Sequence, residues 1–237
     1  MDDPKAVDAD ASALLAGQLL LGYVSATELY LRRTIARMVK VCPQIRASNS
    51  SQTIQFGAVD YYGKTGIEYA LTEQVSFTEP GKIKSQLNAR LGVAVGGGTS
   101  LERSISEFER LCQLRHALVH SHGVLSSANA SLLLGASGTK AYQTRLDRDS
   151  LEWAAVVAVN LVRDVNLEVV RSTLWKWLTD GYLTPRKRVN RPRVDRLLSA
   201  IASETDRKSK LATFDTDTLT DLVTTVASEM GARRRSA

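Results

Sequence analysis

From Leu151 to Leu178 the chain reads LEWAAVVAVNLVRDVNLEVVRSTLWKWL, with neither glycine nor proline to interrupt it. A run of this kind predicts one long helix, and its ends are marked. Asp149 and Glu152 have the spacing of a capping box with an aspartate cap, and Gly181 offers a stop just beyond the run. A second long helix is predicted from about Asp8 or Asp10 to Val41, where Pro43 ends it. Its apolar residues, among them Leu15, Leu19, Ala26, Leu29 and Val39, recur at helical intervals, and Asp8 and Asp10 suit a first turn.

Two further helices lie between these. Pro80 can open one over Gly81–Leu91, closed by Gly92 and the glycine-rich GVAVGGG, read as a flexible joint because no phosphate-loop or dinucleotide motif surrounds it. Thr99 and Glu102 form a capping box that starts another, expected to run to Gly123. Four main helices imply an all-α fold, an antiparallel four-helix bundle over residues 1–183. Residues 184–237 are expected to hold a basic linker and additional C-terminal helices, Val194–Ser203 and Thr216–Met230, the latter with Asp215 and Asp217 as caps. Arg46–Glu79, rich in Ser, Thr, Gly and aromatics, reads as a long connection with room for a short hairpin. Val124–Tyr142 reads as a loop or short strands.

Composition narrows the class. A chain of 237 residues with 43% hydrophobic and 24% charged residues buries a core without staples. Cys42 and Cys112 are too few and too far apart for a disulfide framework or a cysteine metal site, which fits a reducing compartment. The apolar stretch Ala11–Val24 follows Asp2, Asp3, Asp8 and Asp10 instead of a basic leader region, so the expectation is a cytoplasmic helix with no membrane role. The net charge of +6 is uneven. Arg186, Lys187, Arg188, Arg191 and Arg193 crowd into PRKRVNRPRVDR, and Arg233, Arg234 and Arg235 end the chain. Clusters of this kind attract polyanions, although a charge run is as often a solvated linker.

All three histidines fall within LCQLRHALVHSHG: His116, His120 and His122. On a helical wheel Arg115 lies near the centre of a stripe formed by Ile105, Phe108, Leu111, Cys112, Leu118 and Val119. A guanidinium there must be paired or face a cleft, since burying it alone costs several kcal/mol. Glu28, Glu107 and Asp164 are the structural partners it could have. The His-Ala-Leu-Val-His spacing lacks the intervening glutamate and distant third ligand of a zinc hydrolase, so no metal is expected.

The string Arg115-His116-Ala117-Leu118-Val119-His120, preceded by FERLCQL and followed by His-Gly, resembles the motif of the HEPN family: an arginine and a histidine separated by about four to six residues, with a polar residue directly after the arginine. ATELYLRRTIARMV resembles a HEPN opening helix, and the likeness covers roughly Asp8 to Gly181. His116 departs from the asparagine or aspartate more usual after the arginine. The resemblance implies a metal-independent endoribonuclease, with no cofactor, acting as a homodimer that joins two motifs in one cleft. Its implied roles are His120 as acid or base, Arg115 as phosphate stabiliser, His116 assisting, and His122 with Arg186, Lys187, Arg188, Arg191 and Arg193 contacting RNA. A toxin or antiviral defence effector, restrained by an antitoxin or other regulatory protein, is the expected setting. A catalytically silent nucleic-acid-binding or assembly module is the alternative.

Overall fold

The computed structural model describes residues 4–135, 141–202 and 215–236. The fold is all-α: nine α-helices among the described residues and one two-residue pair of strands. In chain order they are α1 (Pro4–Val41), α2 (Pro43–Ser48), α3 (Phe56–Gly66), α4 (Lys82–Gln86), α5 (Ser100–His120), α6 (Ser127–Leu134), α7 (Arg148–Thr179), α8 (Lys187–Ile201) and α9 (Thr216–Ser236). Asp2, Asp3, Ser203 and residues 136–140, for which expectations were stated above, lie outside the described residues, as do the side chains of Asp8, Asp10 and Arg233–Arg235.

The chain divides into two compact units. The first takes Met1–Leu31, Ser76–Lys84 and Val95–Val162; the second takes Arg32–Val75, Ser85–Ala94 and Arg163–Ala237. The division falls inside α1 and inside α7, and residues 184–237 share the second unit with 163–183.

In the first unit, α1 buries Ala16, Leu20, Val24 and Leu31, α5 buries Leu101, Ile105, Phe108 and Leu111, and α7 buries Ala154, Val157 and Leu161. Each large side chain so removed from water contributes roughly 1.5–3 kcal/mol. The intervals that mark α1 as a helix place Leu15, Leu19, Ala26 and Leu29 on its solvent side, while Val39 is buried. Both faces of the first half of α1 are therefore apolar. By length and composition alone, Ser12–Val41 is the one described helix apolar enough to cross a membrane, with 28% of its most apolar window buried.

The second unit is built on Ile35, Met38, Cys42, Ile45, Val165, Val169, Leu174 and Trp177, all buried. Trp177 Nε1 donates to Gln44 Oε1 at 3.0 Å and meets Cys42 Sγ at 3.3 Å. Both cysteines are buried free thiols.

Several local expectations are corrected. The cap of α7 is Asp147, whose carboxylate accepts the Ser150 N–H at 2.8 Å, so the Asp149–Glu152 pair lies within the first turns. Helix α1 begins at Pro4, upstream of Asp8 and Asp10. Arg46–Glu79 is mostly helical: α3 kinks at Gly63 (φ 59°) and passes into a 3-10 turn, Ile67–Thr72. Val124–Tyr142 contains α6, started by Ser126, whose hydroxyl accepts the Asn129 N–H at 3.2 Å. The expected Gly81–Leu91 helix is α4 widening into a π-turn, Leu87–Leu91, closed by left-handed Gly92.

The expected basic linker is the first half of α8, which carries Pro192 inside it. Three hydrogen bonds from Asn190, itself 0% exposed, hold its start: Thr184 N–H donates to Oδ1, and Nδ2 donates to Thr184 O and Thr224 Oγ1. Asp215 caps α9 by accepting the Thr218 N–H at 2.8 Å, as the sequence suggested.

Candidate active site

Helix α5 carries the arginine and histidines, and its start is fixed as the sequence indicates. Thr99 Oγ1 accepts the Glu102 N–H at 3.2 Å, while the Glu102 carboxylate accepts the Gly98 N–H at 2.7 Å and the Lys84 ammonium at 2.9 Å. Those hydrogen bonds, Lys84 first, hold the Glu102 carboxyl below its usual range.

From Leu101 to Cys112 one face of α5 is buried, through Leu101, Ser104, Ile105, Phe108, Leu111 and Cys112. Arg115 is the next residue on that face, and there the burial changes sides. Ala117, about 200° further round at 100° per residue, is 1% exposed, whereas Val119, back on the original face, is 45% exposed. Arg115 therefore stands, half-buried, where the core face runs out. Its guanidinium makes no ion pair or hydrogen bond among the described residues. Two of the partners considered for it are engaged elsewhere: Glu28 accepts the Phe77 N–H at 3.0 Å, and Glu107 pairs with Arg110 at 3.1 Å. Asp164 belongs to the other unit.

Arg115 does act on its neighbour Cys112. Burial pushes that thiol up to about 12, the Glu28 carboxylate adds to the rise, and the Arg115 charge opposes it. Cys112 is thus a packing residue and not a nucleophile at neutral pH.

The imidazoles of His116 and His120 are brought together, ring centroids 4.6 Å apart and tilted by 46°, and both side chains are exposed. Arg115 and His120, five residues apart, point about 140° away from each other on the helix. The helix ends at His120 and not at Gly123. Ser121 and Gly123 both donate their N–H to Ala117 O at 3.0 Å, and His122 (φ 48°) and Gly123 (φ 82°) are both left-handed. For glycine that conformation is free. For histidine it costs about 1–2 kcal/mol, which the surroundings must supply.

The surroundings are a small platform behind the helix end. Strand β1 (Val124–Leu125) pairs antiparallel with β2 (Tyr142–Gln143), Val124 opposite Gln143 and Leu125 opposite Tyr142. Leu125 and Ala130 pack with Ala117, joined by Leu114, Leu133 and Tyr142. Thr144, which nothing in the sequence marks, donates its N–H to Gly123 O at 2.7 Å, and its buried Oγ1 has no partner among the described residues. The reversal that positions His122 is therefore clamped by residues beyond β2.

The basic residues expected to hold RNA fare differently. Lys187 pairs with Asp221 at 2.5 Å and Arg191 with Asp217 at 3.2 Å. Arg193 donates to Tyr182 O and lies 3.9 Å from the centre of that ring. Arg186 and Arg188 are exposed, with no side-chain partner among the described residues. All five belong to the second unit, the histidines to the first.

Among the described residues no group of three His, Cys, Asp or Glu side chains is placed to hold a metal ion. Comparisons with protein-family models, with curated proteins and with solved structures found no match to this chain.

Proposed function

We propose that this chain is a metal-independent endoribonuclease of the HEPN type. The observation that supports it most is the end of α5, where a guanidinium without an acidic partner among the described residues lies within five residues of two exposed imidazoles whose rings are 4.6 Å apart. In the proposed reaction the RNA 2′-OH attacks the adjacent phosphorus while an imidazole accepts its proton. The bond to the 5′ oxygen breaks, a second imidazole protonates that oxygen, and a 2′,3′-cyclic phosphate remains. His120 is the principal acid or base, His116 assists it, and Arg115 stabilises the charge that builds on the phosphoryl oxygens.

Nucleophile and leaving group lie on opposite sides of the phosphorus, and His116 with His120 share one side of α5. A second copy of the chain supplies the other imidazole, so the proposal includes a homodimer. His122, Arg186 and Arg188 remain as RNA contacts, whereas Lys187, Arg191 and Arg193 must first leave their internal partners. The proposed setting is a cytoplasmic toxin or antiviral effector held by an antitoxin or regulatory protein.

The exposed apolar side of α1, with Leu14 72% and Leu15 62% exposed, favours a second reading, a silent assembly module. Incubating the protein and His120→Ala with mixed cellular RNA in excess chelator separates them. Cleavage by the unsubstituted protein alone, with 2′,3′-cyclic ends and none at a 2′-deoxy nucleotide, supports the nuclease. Intact RNA with a folded protein supports the module.

A further inference from the structure

Arg33, Arg37 and Lys40 follow one another at helical spacings of four and three residues, and all three are exposed on one side of α1. Along the axis they are about 6 Å and 4.5 Å apart. Arg33 and Arg37 have no acidic partner among the described residues, and Lys40 donates only to Thr65 O at 3.3 Å.

Helix α3 and the 3-10 turn after it are tied along the same stretch of chain, in the same unit. Arg32 donates to the carbonyls of Thr72, Glu73 and Val75, Lys40 reaches Thr65, and Arg46 pairs with Glu68 at 3.2 Å. That helix displays aromatic rings to solvent. Phe56 is 83% exposed and Tyr61 82%. Tyr61 is nonetheless held: its ring meets Tyr62 edge-on at 5.0 Å, and Tyr62 stacks on Tyr69 at 6.1 Å. Exposed rings that contribute nothing to the core, on a helix tied by Lys40 to the stretch of α1 that carries cations without acidic partners, match the two needs of a single nucleic-acid strand: stacking for its bases and charge for its phosphates. Duplex bases are already stacked and present no free face. Asp60, next to Tyr61, and Glu73, beside the Arg32 contacts, are exposed acids here.

We infer that Arg33, Arg37 and Lys40 of α1, with Phe56 and Tyr61 of α3, form a binding surface for single-stranded nucleic acid. It belongs to the second unit, the α5 histidines to the first, and it does not depend on cleavage.

The test is fluorescence anisotropy of a short labelled oligouridine titrated with the full-length His120→Ala protein across a salt series. In that background Arg33→Glu with Arg37→Glu should weaken binding tenfold or more at low salt and flatten the salt dependence by about two ions' worth. Phe56→Ala with Tyr61→Ala should weaken it roughly tenfold and leave the salt slope unchanged, the scale expected for losing base stacking. Asp60→Asn should tighten it. The inference is overturned if the parent does not bind oligouridine, if either pair of substitutions leaves affinity as it was, or if a duplex of equal length binds as well. RNA cleavage by the unsubstituted chain with unchanged affinity in these variants sinks this surface alone. Specific binding without cleavage sinks the nuclease alone.

Discussion

Two basic regions of this molecule invite the same reading in sequence and differ in structure. Pro185–Arg196 is the densest run of positive charge, yet Lys187, Arg191 and Arg193 are consumed in holding α8 to Asp221, Asp217 and Tyr182. Arg33 and Arg37 are diluted among apolar residues and look like ordinary helix-surface charges, yet among the described residues nothing neutralises them. Arg115 is a third case, alone on a stripe that is otherwise core. Density of charge along the chain says little about its availability; the count of carboxylates brought against it by the fold says more.

The contrast can be broken at its strongest point first. Arg115→Ala and His120→Ala should each reduce RNA cleavage at least 100-fold without changing the melting temperature by more than a few degrees. A large loss of stability in Arg115→Ala would instead make that arginine structural. Next in size, Asn190→Ala should cost about 1–3 kcal/mol in chemical denaturation, because it strands the half-buried Thr184 N–H and removes a fully buried side chain. An unchanged midpoint would mean that α8 does not depend on that amide.

Asp217→Asn with Asp221→Asn should cost only about 0.2–1 kcal/mol per pair, since both pairs are exposed, but should release Lys187 and Arg191. Affinity for oligouridine should then rise several-fold with a steeper salt dependence; no rise would mean that α8 lies outside any binding path. The smallest effect is expected in acid. Hydrogen bonds from the Thr218 backbone N–H and then its hydroxyl hold the Asp215 carboxyl below its ordinary value. Its contribution to α9 is therefore complete above about pH 4 and is lost as pH falls through the depressed value. Asp215→Asn should remove that component from an acid titration followed by circular dichroism.

What could be read in the sequence was what local chemistry decides. The Thr99 and Asp215 caps, the stop at Pro43 and the unbroken run of α7 each act within a few residues, and each is found. Helix α3 is not legible because its Gly and Tyr content is poor in helix formers, and α3 and the 3-10 turn after it are held by the long-range contacts of Lys40 with Thr65 and of Arg32 with Thr72, which no local pattern announces. The first half of α8 reads as a linker because of its run of basic residues, while Pro192 inside it and the Asn190 bonds to Thr184 and Thr224 show a helix start held from a distance. On α1 periodicity showed that a helix forms, but with apolar residues on both sides it could not show which side is buried. At the site, the arginine and histidines are legible as a cluster; the change of buried face at Arg115 is not, because Ala117 packs with Leu125 of β1 and Ala130 of α6, and the sequence pointed to short strands there but not to the helix.

One consequence of α5 concerns how such a chain can vary in length. The residues from Leu101 to Cys112 and those from Arg115 to His120 belong to one uninterrupted helix, so a single residue inserted between them would turn every later side chain by about 100°. The core before the insertion would be untouched, yet Ala117 would leave its platform and Arg115 would swing off the edge where it stands. Between Cys112 and His120 descendants of this chain can therefore substitute, but not insert or delete.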